Sequence, residues 1–116
     1  MRKKKIVIRQ NYLEKIPMRK PEIAWTTDEQ GIVTLEIENK GWANRLAQLF
    51  FNRPKVSYIH MDELGSFLWP KLEGEKNIID LGVEVKEQFG EKAEPLYERL
   101  ARFFQILDQC HFIMFK

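Results

Sequence analysis

The order of local signals in this 116-residue chain predicts an α+β fold: a small antiparallel sheet followed by a three-helix unit. Three observations carry that expectation. Residues 32–38 alternate, with Val33, Leu35 and Ile37 on one face and Thr34, Glu36 and Glu38 on the other, as in a half-buried strand. Asp62 and Asn77 each stand just before apolar residues at helical spacing, where a side-chain oxygen can take an unpaired first-turn amide. Pro70, Gly74 and Gly90 then punctuate the second half where helices should stop.

The elements follow in order. Residues 11–21 hold two prolines and little periodicity, and read as an extended lead-in. Residues 23–27 are β-prone, and Asp28-Glu29-Gln30-Gly31 supplies turn chemistry before the alternating strand, so a hairpin is expected. Apolar residues at 42, 43, 46, 49 and 50 mark one face of a helix over 42–51, broken by Asn52-Arg53-Pro54. Residues 55–60 form a short strand rich in β-branched and aromatic side chains.

The helical half opens at Asp62, with Leu64, Phe67 and Leu68 as its apolar positions and an end or kink near Trp69. Asn77 caps a second helix with the stripe Ile78, Leu81, Val85 and Phe89, stopped by Gly90. Pro95 opens a third, whose core face is expected at Leu96, Leu100, Phe103 and Leu107. Tyr97, Ala101 and Phe104 lie about one residue round from it. Residues 112–115 close the chain as a final strand. Two regions are expected: a basic extended arm over residues 1–22 and a single domain over residues 23–116.

Composition narrows the function classes. Hydrophobic residues at 44% and charged residues at 31% are ordinary for a soluble globular chain. Cys110 is the single cysteine, which fits a reducing compartment. The apolar stretch Ile6-Val7-Ile8 is too short for a signal peptide, nothing reaches the length of a membrane span, and a cytoplasmic location is expected. The net charge of +2 conceals a polarised chain. Residues 1–20 hold eight basic side chains against one acid, whereas residues 61–98 hold ten acids against four lysines.

That distribution bears on nucleic acid. Strands followed by three short helices match the order of a winged helix-turn-helix, and a regulatory or DNA-binding protein is the first alternative. A groove-reading helix needs Lys and Arg against phosphates. Residues 73–98 instead hold eight acids and three lysines, and no specific nucleic-acid binding is expected. Catalysis is not expected either. Glu73-Gly74-Glu75-Lys76 lacks the glycine pair and the Ser/Thr of a phosphate-cradling loop. Cys110 falls at a helix C-terminus, where the dipole disfavours thiolate. His60 and His111 have no metal-ligand spacing, and no cofactor is expected. An oligomerising accessory subunit using Trp25, Trp42 or residues 112–115 is a further alternative.

The short strand, then Met61-Asp62-Glu63-Leu64-Gly65-x-x-Leu68-Trp69, then Glu73-Gly74-x-x-x-Ile78 and a three-helix finish together resemble the PqqD-like family. These are small proteins of the pyrroloquinoline quinone pathway, and relatives sharing the fold are called RiPP recognition elements. Asn11-Tyr12-Leu13 with Ile16-Pro17 looks like the family's N-terminal stretch, so the similarity runs from about Asn11 to Phe115. The residues 42–51 look like an insertion, and the basic Arg2–Lys5 run is a second departure.

The resemblance implies a non-catalytic peptide chaperone. Such domains bind the leader of a ribosomally made precursor peptide as an added strand and present its core to a modifying enzyme, often a radical SAM enzyme. Carried to this chain, the edge strand is Val56, Ser57, Tyr58, Ile59 and His60, and the neighbouring helix is the last one. Tyr97, Ala101 and Phe104 are expected to line the groove, Ala101 leaving room and the aromatics supplying contact area.

Overall fold

The computed structural model describes residues 10–38 and 56–116, so the helix expected over 42–51 and the basic run of Arg2–Lys5 lie outside the described residues. The chain is α+β. Its described elements run α1 (Gln10–Leu13), β1 (Pro17–Arg19), β2 (Ala24–Thr27), β3 (Val33–Glu38), β4 (Val56–His60), α2 (Glu63–Leu68), α3 (Ile78–Phe89), α4 (Leu96–Gln109) and β5 (Ile113–Phe115). Strands followed by α2, α3 and α4 make an order consistent with a winged-helix-like arrangement. The contacts divide it into two units, Pro21–Ser66 and Met1–Lys20 with Phe67–Lys116, the boundary falling inside α2.

In the unit Pro21–Ser66, the strands form a three-stranded antiparallel sheet in the order β2-β3-β4. The hairpin turn is built by Asp28, whose Oδ1 accepts from the amides of Gln30 at 2.8 Å and Ile32 at 2.9 Å. Gly31 takes φ 85°, the left-handed region that costs glycine nothing. Val33 and Leu35 are buried and Glu38 is exposed, as the alternation expects.

At the far end of the β3–β4 ladder, the Met61 amide donates to the Val33 carbonyl at 2.9 Å. The Val33 amide donates instead to the Ser66 hydroxyl at 2.9 Å, and that hydroxyl donates to the Met61 carbonyl at 3.4 Å. A side chain thus stands in for the last rung. Asp62 caps α2 as expected, its Oδ1 accepting from the Gly65 amide at 2.8 Å.

The other unit is Met1–Lys20 with Phe67–Lys116. Residues 10–20 are folded into this unit: β1 pairs antiparallel with β5, Pro17 opposite Phe115 and Arg19 opposite Ile113. Ladder bonds flank the pair, from Lys116 N to Ile16 O at 2.8 Å and Lys20 N to Phe112 O at 3.1 Å. Pro17 therefore occupies a position whose amide would point away from β5, and its missing N–H costs the ladder nothing. On that outer side the Arg19 amide donates to Leu72 O at 2.9 Å. Its guanidinium donates to the carbonyls of Trp69 and Pro70 at 3.0 and 2.8 Å, satisfying the end of the turn that Pro70 forces after α2.

Asn77 caps α3 through Oδ1 to the Asp80 amide at 2.8 Å, and Gly90 ends it at φ 60°. The buried face of α3 is Ile78, Leu81, Gly82 and Val85. A Cβ on Gly82 would meet Leu100 at 3.0 Å and Tyr97 at 3.5 Å, so glycine sets the close approach of α3 to α4. The buried face of α4 is Leu96, Leu100, Ala101, Phe104 and Leu107. Phe103, expected in the core face, is half-buried at its border. Leu96, Leu100, Phe104 and Leu107 recur at spacings of four, four and three, which makes one continuous stripe. Phe103 rests edge-to-face on Phe104, ring centroids 5.1 Å apart.

Candidate functional site

The five strand residues expected to bind peptide are all on β4, which is the edge of its sheet: among the described residues, no strand pairs with its outer side. Which backbone groups face that side follows from the register. Because Met61 N bonds Val33 O, the pairs Ile59–Leu35 and Ser57–Ile37 exchange ladder hydrogen bonds, and the pairs between them do not. The N–H and C=O groups of Val56, Tyr58 and His60 therefore point away from β3. They form a row of donors and acceptors at the regular spacing an extended chain can match.

Side chains alternate across this strand. Tyr58 is 61% exposed and lies opposite Glu36; Ile59 is 38% exposed and lies opposite the fully buried Leu35. Val56 and Ser57 are half-buried. His60 lies opposite Thr34 in a non-hydrogen-bonded pair, where side chains come closest, and its Nδ1 is 2.8 Å from the Thr34 hydroxyl. That bond fixes the ring at the exposed end of the edge.

The three helical residues fare differently. Tyr97, in the first turn of α4, is 41% exposed. Ala101 and Phe104 are 1% and 0% exposed and belong to the buried face of their helix, so neither presents surface to a ligand.

Among the described residues, no group of three or more His, Cys, Asp or Glu side chains could hold a metal ion. No described helix is long and apolar enough to cross a membrane. Cys110 is exposed and caps the C-terminus of α4. The ion pairs Lys76–Glu84 and Lys86–Glu94 hold both carboxyls below the usual carboxylate range, chiefly by direct hydrogen bonding to the lysines. They are partly exposed pairs on the surface of α3 and its flanks.

Among the described residues, the chain is a small α+β fold with β4 at the edge of its three-stranded sheet. The family model described as Coenzyme PQQ synthesis protein D (PqqD) matches residues 43–113, and the chain belongs to that family. PqqD proteins are accessory and non-catalytic. The matched range includes β4, the three main helices and the first residue of β5. It leaves out α1, β1 and the β2–β3 hairpin, so the similarity expected from about Asn11 is matched only from residue 43. The match also takes in most of residues 42–51, the stretch expected to be an insertion. No curated protein and no solved structure matches the chain significantly.

Proposed function

We propose that this chain is a non-catalytic adaptor that binds the leader segment of a ribosomally made precursor peptide by strand addition to β4. It presents the peptide to a modifying enzyme, with a radical SAM enzyme as the partner class. The observation that carries the reading is the outward row of backbone groups at Val56, Tyr58 and His60 on an edge strand with exposed Tyr58 and Ile59. Membership of the PqqD family supports it.

Backbone pairing supplies affinity without regard to sequence, and alternate side chains supply selectivity. Val56, Ser57, Tyr58, Ile59 and His60 make the strand contact, and Tyr97 is an exposed residue of α4. Ala101 and Phe104 lie on the buried face of α4 and fix its packing. An extended contact of about six residues corresponds to micromolar affinity, about −8 kcal/mol. Ordering the free peptide offsets much of the gross gain. The adaptor works stoichiometrically, raising the local concentration of a flexible substrate at its enzyme. The single cysteine suits a reducing cytoplasm.

The acidic balance of residues 73–98 disfavours duplex DNA as the ligand. The reading is tested by titrating the full chain with precursor-like peptides encoded beside its gene, following binding by calorimetry. Saturable one-to-one binding of one such peptide supports the adaptor. No binding by any of them, with the chain folded, contradicts it.

A further inference from the structure

The chemistry of the peptide can be read from the two faces that flank the β4 edge. On one face, Trp25, Leu35 and Ile59 form a row straight across the sheet, one from each strand. Leu35 is fully buried, whereas Ile59, last in the row, is 38% exposed. On the other face, Ala24, Glu36 and Tyr58 form the adjacent row, and Tyr58 is 61% exposed. Glu38 shares this face two residues along β3.

We infer that the strand added to β4 carries an apolar residue beside Ile59 and, next to it in sequence, a basic residue beside Tyr58. The inference rests on the adaptor reading above. Directly opposed side chains in neighbouring strands have Cβ atoms about 4.5–5.5 Å apart, so a Val, Ile or Leu there completes the apolar row and covers Ile59. On the opposite face, a lysine or arginine can lie against the Tyr58 ring, whose π face attracts a cation. The Glu36 carboxylate, one strand further in and so about 10 Å from the added strand, has the complementary sign and disfavours a glutamate on the peptide at a distance. The ligand class is therefore an extended peptide with alternating apolar and basic residues.

Three capped ten-residue peptides test this, alternating valine with lysine, with glutamine or with glutamate. Affinity is expected to fall in that order, with lysine favoured over glutamine about fivefold, the scale of an exposed cation–aromatic contact. Tyr58→Leu keeps an exposed apolar strand residue without the π face and is expected to reduce the lysine preference while valine–glutamine binding persists. Amide hydrogen exchange is expected to slow at Val56, Tyr58 and His60. Equal affinity for the three peptides, or a lysine preference that Tyr58→Leu leaves unchanged, overturns the inferred chemistry and leaves strand addition standing. If exchange at β4 is unchanged with these peptides and also with the gene-neighbour peptides, both the chemistry and the adaptor reading fall.

Discussion

The Ser66 hydroxyl accepts the backbone amide of Val33 at 2.9 Å, tying the body of α2 to the end of the β3–β4 ladder. Both residues are buried, so the pairing sits where an unmade hydrogen bond is costly. The same hydroxyl reaches the Met61 carbonyl, and the candidate edge strand is thereby anchored at its C-terminal end. The register that turns Val56, Tyr58 and His60 outward begins at this point.

Replacing that serine therefore measures the anchor. Ser66→Ala is expected to destabilise the chain by about 1–3 kcal/mol, the cost of leaving a buried amide unpaired. Urea unfolding followed by circular dichroism checks it. A change within about 0.5 kcal/mol, the range of ordinary surface substitutions, contradicts the role assigned to the hydroxyl.

The cap of α3 offers a cleaner comparison. Asn77→Ala removes the acceptor for the Asp80 amide and is expected to cost about 1 kcal/mol, with Asn77→Asp close to neutral. Denaturant midpoints of the two variants decide it; equal losses in both mean that the oxygen is not the stabilising group.

Tyr12 carries a pH signature. Its hydroxyl is buried without a hydrogen bond among the described residues, and burial, helped by the negative charge of Asp108, pushes its pKa up to about 12. The unfolded chain releases that proton near pH 10. Between pH 10 and about 12 the folded chain holds a proton that the unfolded chain has lost, so stability present in full below pH 10 falls as pH rises. Absorbance at 295 nm should show a late tyrosine ionisation that Tyr12→Phe removes. Asp108→Asn should bring it down only in part, because burial is the larger cause. A single ionisation near pH 10 for all three tyrosines contradicts the buried placement.

Burial also separates two residues that sequence alone placed in one groove. Ile59→Lys, at the exposed edge, is expected to leave the fold intact and weaken peptide binding at least tenfold. Phe104→Ala is expected to cost about 3–5 kcal/mol through the cavity it leaves in the buried face of α4. Thermal unfolding of each, beside a peptide titration of the first, distinguishes them. An unfolded Ile59→Lys variant assigns that residue to the core.

Much of this was legible because it is local. The Asp28–Gly31 turn, the Asp62 and Asn77 caps and the Gly90 stop each depend on a few consecutive residues, and the structure has them where the sequence points. β1 was not legible. It is three residues long, starts at a proline, and exists because β5, near the other end of the chain, pairs with it. The assignment of Phe103 and Phe104 failed for a different reason. Adjacent aromatics both fit a broad helical stripe, and the packing partner decides which one is central.

At the site, the strand could be read from β-propensity and its place at the edge was implied by the family resemblance, but the phase of its backbone could not be read. That phase depends on which residues of β3 and β4 exchange hydrogen bonds, and a shift of one residue would turn Ser57 and Ile59 outward instead.

The central claim is that a peptide docks as a strand on β4, and amide hydrogen exchange tests it most directly. The full chain would be compared with and without a gene-neighbour precursor peptide that it binds. Slowed exchange at Val56, Tyr58 and His60, with little change at Ser57 and Ile59 already committed to the ladder, is the predicted result. Binding that leaves those three amides unchanged, with protection appearing on β2 or β5 instead, would contradict it.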